Sequence, residues 1–149
     1  MLEVYVDADA CPVKEEIIKV SSRHNLKIYM VSNSGLRRFP GAHIQHIVVS
    51  DAADAADNWI VEHIQEDDIF ITADILLADR CVKKKAKGLD PTGRQFTSAN
   101  IGSTVAMRNL SAHLRELGTI SGYNKSFSKK DRSAFLRILE EIIQSIKRG

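Results

Sequence analysis

Cysteine is scarce in this chain of 149 residues, which has only Cys11 and Cys81. Two thiols cannot build a disulfide framework or a four-ligand zinc site, so both read as free thiols of a reducing compartment. Long apolar runs are missing as well: none approaches the roughly 18 residues that a membrane-crossing helix needs. The N-terminus shows no basic n-region or cleavage site and opens directly into a strand pattern, so a cytoplasmic protein is expected. Repeats and low-complexity tracts are absent. None of His24, His43, His46, His63 and His113 forms a close helical ligand pair with another, which argues against zinc. Lysine is missing from the whole stretch between Lys27 and Lys83, a gap that matters below.

What is present describes one globular domain. The length suits a single core, and 44% apolar residues beside 27% charged ones is ordinary for a soluble protein. The net charge of +2 conceals a division. Residues 1–79 hold 14 acids against 6 Lys or Arg, whereas residues 80–149 hold 15 Lys or Arg against 5 acids. An acidic half suits a cation cluster and a basic half suits a polyanion, although solvated helix faces give the same imbalance.

Hydrophobic periodicity predicts βαβα order. Strands are expected over residues 2–6, 26–31, 44–49 and 69–72, with a helix over 13–24 between the first two. Ser50 or Asp51 should cap a helix to Ile64, with Ala53, Ala56, Ile60 and Ile64 inward. A helix after Asp74 should run to about Ala86 and close on Lys87-Gly88. Asp90-Pro91-Thr92-Gly93 signals a turn within an edge strand or hairpin that exposes Arg94. A helical pattern over 99–117 and a loop over 121–126 follow. Ser128 and Asp131 then form a capping box before a last helix, whose Phe135, Ile138, Leu139, Ile142 and Ile146 make one apolar stripe. That stripe reads as core, or else as a docking or homodimer surface.

Carboxylates recur after the strands, where a parallel sheet gathers its loops. Asp7 and Asp9 follow the first strand; alternate residues of an extended chain point the same way, so both can address one cation or phosphate. One of them can equally cap the helix near Pro12. Asp51, Asp54 and Asp57 follow the third strand, and Asp74 and Asp79 the fourth. Asp54 and Asp57 share a helix face, and Asp74 suits the site better than Asp79. Each acid alone reads as a cap or a solvated charge. Several brought together repel, and a divalent cation with oxygen ligands relieves that cost. Mg²⁺ or Mn²⁺ is the expected cofactor and nucleic-acid hydrolysis the natural reaction, through a metal-bound hydroxide. Cys11, at a helix start but beside acids, is a weak nucleophile.

The stretch Val6-Asp7-Ala8-Asp9-Ala10-Cys11-Pro12-Val13-Lys14 resembles the opening signature of the YaiI/YqxD family of bacterial proteins, which is similar to PIN-like nuclease domains. Residues 51–60, Ile71-Thr72-Ala73-Asp74-Ile75-Leu76-Leu77-Ala78, Lys87-Gly88 and Phe127-Ser128-Lys129-Lys130-Asp131-Arg132 resemble the family too. The resemblance implies a three-layer PIN-like α/β sandwich with a mainly parallel sheet of four or five strands. It also implies an acidic centre of Asp7, Asp54 or Asp57, and Asp74, with Asp9 as the family's addition. Ser121-Gly122-Tyr123 stands where a Gly-Gly-Pro-like turn is expected, and Ile75-Leu76-Leu77 lacks a proline before the leucine.

The expected metal set is therefore Asp7, Asp9, Asp54, Asp57 and Asp74, with Asp7, Asp57 and Asp74 catalytic. Arg80, Lys83, Lys84, Lys87, Arg94 and Arg132 are expected to contact phosphates, of RNA rather than DNA. Val6-Asp7-Ala8-Asp9 also resembles the first motif of haloacid-dehalogenase-like phosphatases, with Asp7 as nucleophile. That chemistry wants a lysine before the last acidic motif, inside the gap noted above. A non-catalytic interaction protein is the third reading.

Overall fold

A computed structural model describes residues 2–8, 11–33, 41–50, 52, 54–98, 101 and 128–148. Asp9, Asp51 and Ala53, the 99–117 helix apart from Ile101, and the 121–126 loop fall outside the described residues. The elements are β1 (Glu3–Asp7), α1 (Lys14–Arg23), β2 (Lys27–Ser32), β3 (Ile44–Val48), α2 (Ala55–His63), β4 (Ile69–Ile71), α3 (Ile75–Lys83), β5 (Lys87–Leu89), β6 (Gln95–Phe96) and, last, α4 (Lys129–Arg148).

The strands form one six-stranded sheet in the order β3-β2-β1-β4-β5-β6. Five strands are parallel, and β6 pairs antiparallel with β5, Leu89 opposite Gln95. The expected four or five strands become six because residues 89–97 close a hairpin. Asp90 shapes its turn: one carboxylate oxygen accepts from the amides of Thr92 and Arg94.

Strand alternation divides the core into two layers. Val4 and Val6 of β1, Ile28 and Met30 of β2, and Ile69 and Ile71 of β4 face α1 and α4. Tyr5, Val31 and Phe70 face the opposite way, toward α2 and α3. The result is a three-layer α/β/α sandwich. Within α4, Phe135, Leu139 and Ile142 are buried with Ile143 against the sheet and α1, so the stripe is core rather than a docking surface. The capping box forms as expected, with the Asp131 amide donating to Ser128 Oγ at 3.2 Å and the Ser128 amide to Asp131 Oδ2 at 3.0 Å.

Three helix ends differ from expectation. Helix α1 starts at Lys14 with Val13 at its N-cap position, so Pro12 lies in the preceding turn. Helix α2 starts at Ala55, with Asp54 at the N-cap position but making no capping bond, so Ser50 does not cap it. Helix α3 ends at Lys83 and is closed by Lys85 in a left-handed conformation (φ 66°), not by Lys87-Gly88. Gly88 instead sits inside β5 opposite Phe70, where an added Cβ would lie 2.2 Å from the ring. The glycine serves strand packing.

Candidate functional site

The chain moves outward from β1 through β2 to β3, then returns to place β4 and β5 on the other side. The loops leaving β1 and β4 therefore diverge, which opens the crevice where open α/β sheets bind ligands. Asp7 ends β1, and Thr72 and Asp74 follow β4 directly. Asp7 shares a strand face with Tyr5, so it points toward the layer of α2 and α3, which carry Asp57 and Asp74.

Thr72 ties the two loops together. Its side chain is buried, and its hydroxyl donates to Asp7 Oδ2 at 2.8 Å while accepting the Asp74 amide at 3.0 Å. Asp74 Oδ1 accepts the Leu76 amide at 2.9 Å, so Asp74 caps α3 as its bland reading required and still stands at the crevice. A hydroxyl two residues before an acid, at a strand-to-helix turn, is the local signal for the Asp74 half of this link.

Asp57 reaches the crevice from α2. Burial pushes its carboxyl up to about 6, and the charges of Asp74, Asp7 and Asp54 add to the rise, against which Arg80 works. Asp7, Asp57 and Asp74 are half-buried, whereas Asp54 is exposed. Among the described residues no group of three or more Asp, Glu, His or Cys side chains is placed to hold a metal ion. The acids share a field without closing into a ligand shell. Asp79 instead pairs with Lys83 at 3.0 Å. Cys11 is buried and its thiol is pushed up to about 11, chiefly by burial, which makes it inert as a nucleophile.

The basic residues divide by their level on the sheet. Arg80 acts on Asp57, and exposed Arg94 stands beyond the C-terminal end of β5, at the acidic end. Lys87 opens β5 opposite Ile69, at the other end, and α3 descends to that end at Lys83 and Lys84. Lys84 Nζ donates to the Val61 carbonyl. Arg132 lies at the acidic end but pairs with Glu16 at 2.7 Å and donates to the Pro12 carbonyl at 3.1 Å.

A family model described as "Uncharacterized BCR, YaiI/YqxD family" matches residues 5–145. The chain belongs to the YaiI/YqxD family. It is 53% identical over 146 residues to a UPF0178 protein of Agrobacterium fabrum, covering 98% of this chain and 95% of that protein. It is 51% identical over 145 residues to a UPF0178 protein of Rhizobium meliloti, covering 97% and 99% of the two chains. A UPF0178 protein of Rhodospirillum rubrum is 50% identical over 152 residues, with 99% of each chain covered. No solved structure matches the chain. For this YaiI/YqxD member no helix among the described residues is long and apolar enough to cross a membrane.

Proposed function

We propose that this chain is a PIN-like phosphodiesterase that uses Mg²⁺ or Mn²⁺ to cleave nucleic acid, RNA in preference to DNA. The observation that carries the reading is the Thr72 hydroxyl, which bonds Asp7 at 2.8 Å and the Asp74 amide at 3.0 Å and so joins the ends of β1 and β4 at the crevice, with the Asp57 carboxyl raised beside them by burial and by the charges of Asp74 and Asp7. Carboxylates gathered in this way favour a hard divalent cation with oxygen ligands. Asp7, Asp57 and Asp74 would hold it by drawing closer together than they stand in the metal-free chain, with Asp9 and Asp54 as further oxygen donors. When bound there, such a cation would supply Lewis-acid chemistry, lowering the pKa of water and offsetting charge on a phosphodiester. Thr72 fixes the rotamer of Asp7 and the turn that carries Asp74. Arg80 and Arg94 are the basic groups at the right end of the sheet to engage phosphates beside the acids. Lys83, Lys84 and Lys87 would follow a strand leaving the site down α3, Lys83 by giving up its pairing with Asp79.

The test uses purified protein with Mn²⁺ on labelled RNA, labelled DNA and p-nitrophenyl phosphate. RNA should be cut, and Asp7→Asn should lower the rate by about 100-fold or more and weaken Mn²⁺ uptake by calorimetry. Intact oligonucleotides together with unchanged metal uptake in Asp7→Asn would sink the nuclease reading. Turnover of p-nitrophenyl phosphate alone, lost in Asp7→Asn, would assign the haloacid-dehalogenase-like phosphatase. No turnover in any assay and a partner recovered by pull-down would assign an interaction protein.

A further inference from the structure

Helix α4 begins more than a hundred residues after β1, yet its first turn is bonded to the loop that leaves β1. The Arg132 guanidinium donates to the Pro12 carbonyl at 3.1 Å and pairs with Glu16 Oε1 at 2.7 Å. From the other side Lys14 Nζ donates to the Cys11 carbonyl at 3.0 Å, and the Val13 carbonyl accepts the first amide bond of α1 from Ile17 at 3.0 Å. Three successive carbonyls of the turn are thus engaged, and the bond from Arg132 is the one that crosses from another helix. The capping box of Ser128 and Asp131 orders the α4 turn that presents it. Glu16 has a half-buried side chain whose Oε2 has no hydrogen-bond partner among the described residues, and its Oε1 is the atom paired with Arg132.

We infer that Arg132 is a positioning residue: it clamps the Cys11-Pro12-Val13 turn against α4 and so fixes that turn beside the acidic site. The inference rests on the reading of Asp7 as a site residue for its functional part, and on the Pro12 and Glu16 contacts for its structural part.

Cys11 lies inside the clamped turn and Cys81 in the opposite core layer, both buried. Alkylation by iodoacetamide, followed by mass spectrometry on the folded full-length chain, therefore reads turn opening at Cys11 and global opening at Cys81. Arg132→Met should speed Cys11 labelling about fivefold to tenfold with Cys81 unchanged. It should also weaken Mn²⁺ binding several-fold in calorimetry. Arg132→Lys should restore part of the Cys11 protection. The double variant Arg132→Met/Glu16→Gln removes the stranded carboxylate that could unfold the single variant, and the Cys11 effect should persist in it. Equal acceleration at both cysteines in the double variant, or no acceleration at Cys11, would overturn the clamp. If wild-type protein takes up no Mn²⁺, the metal reading fails and the Cys11 to Cys81 ratio still decides the clamp.

Discussion

At Asp57 the folded state holds a carboxyl at about 6 against an ordinary 3.8. A carboxyl raised on folding contributes stability that is fully present below pH 3.8 and is lost as the pH rises through about 6. Above pH 6 the ionised group is a net cost. Asp57→Asn should therefore stabilise the metal-free protein at pH 8 by about 1–2 kcal/mol, after discounting for partial exposure, with the gain vanishing near pH 4. Urea unfolding at the two pH values measures the difference; equal gains at both would refute the electrostatic account. The sequence placed Asp7, Asp57 and Asp74 at one sheet end because strand and helix periods were readable in their flanks. It could not show that Thr72 links Asp7 to the Asp74 turn, since that bond spans 65 positions. Nor does anything local mark Glu16 and Pro12 as partners of Arg132.

Among the elements, β5 is the one whose placement depends on a missing side chain. Gly88 lies opposite Phe70, and any Cβ there meets the ring at 2.2 Å. Gly88→Ala should cost about 3 kcal/mol, visible as a lower urea midpoint with an unchanged slope. A cost under about 0.5 kcal/mol would show that Phe70 has another rotamer to occupy. Sequence reading gave this glycine to the end of α3, where a C-terminal Gly is the common device. Lys85 takes the left-handed position instead, a conformation that a lysine side chain does not advertise. Strand existence was legible nearly everywhere, because apolar runs such as Ile69-Phe70-Ile71 are short and bounded by turn residues. Boundaries shifted by a few residues at Ser50 and Pro12, where a cap was chosen by residue type, whereas the caps chosen the same way at Asp74 and Ser128 formed.

For the whole molecule, the charge division seen in composition does not map onto the two ends of the sheet. Asp7, Asp57 and Asp74 lie at the C-terminal end with Arg80 and Arg94, while Glu3, Asp67 and Asp68 lie at the other end with Lys83, Lys84 and Lys87. Binding of a single-stranded RNA in EDTA should weaken with salt, and loss of Arg80 or Arg94 should each flatten the log–log slope by about 0.7. Fluorescence anisotropy across a salt series measures this; slopes that respond to neither substitution would remove both residues from the interface. The three-layer architecture was legible because the two core layers alternate along β1, β2 and β4, Val4 and Val6 against Tyr5, without help from long-range pairing.

The bond from Thr72 to Asp7 has a further consequence. Its partners are separated by 65 positions in the chain, and β1 meets β4 only after two helical crossovers have been completed. In the denatured ensemble Asp7 is far from Asp57 and Asp74, and their carboxylates do not repel. Their mutual repulsion is thus a property of the native basin alone, so a bound cation would slow unfolding rather than hasten collapse.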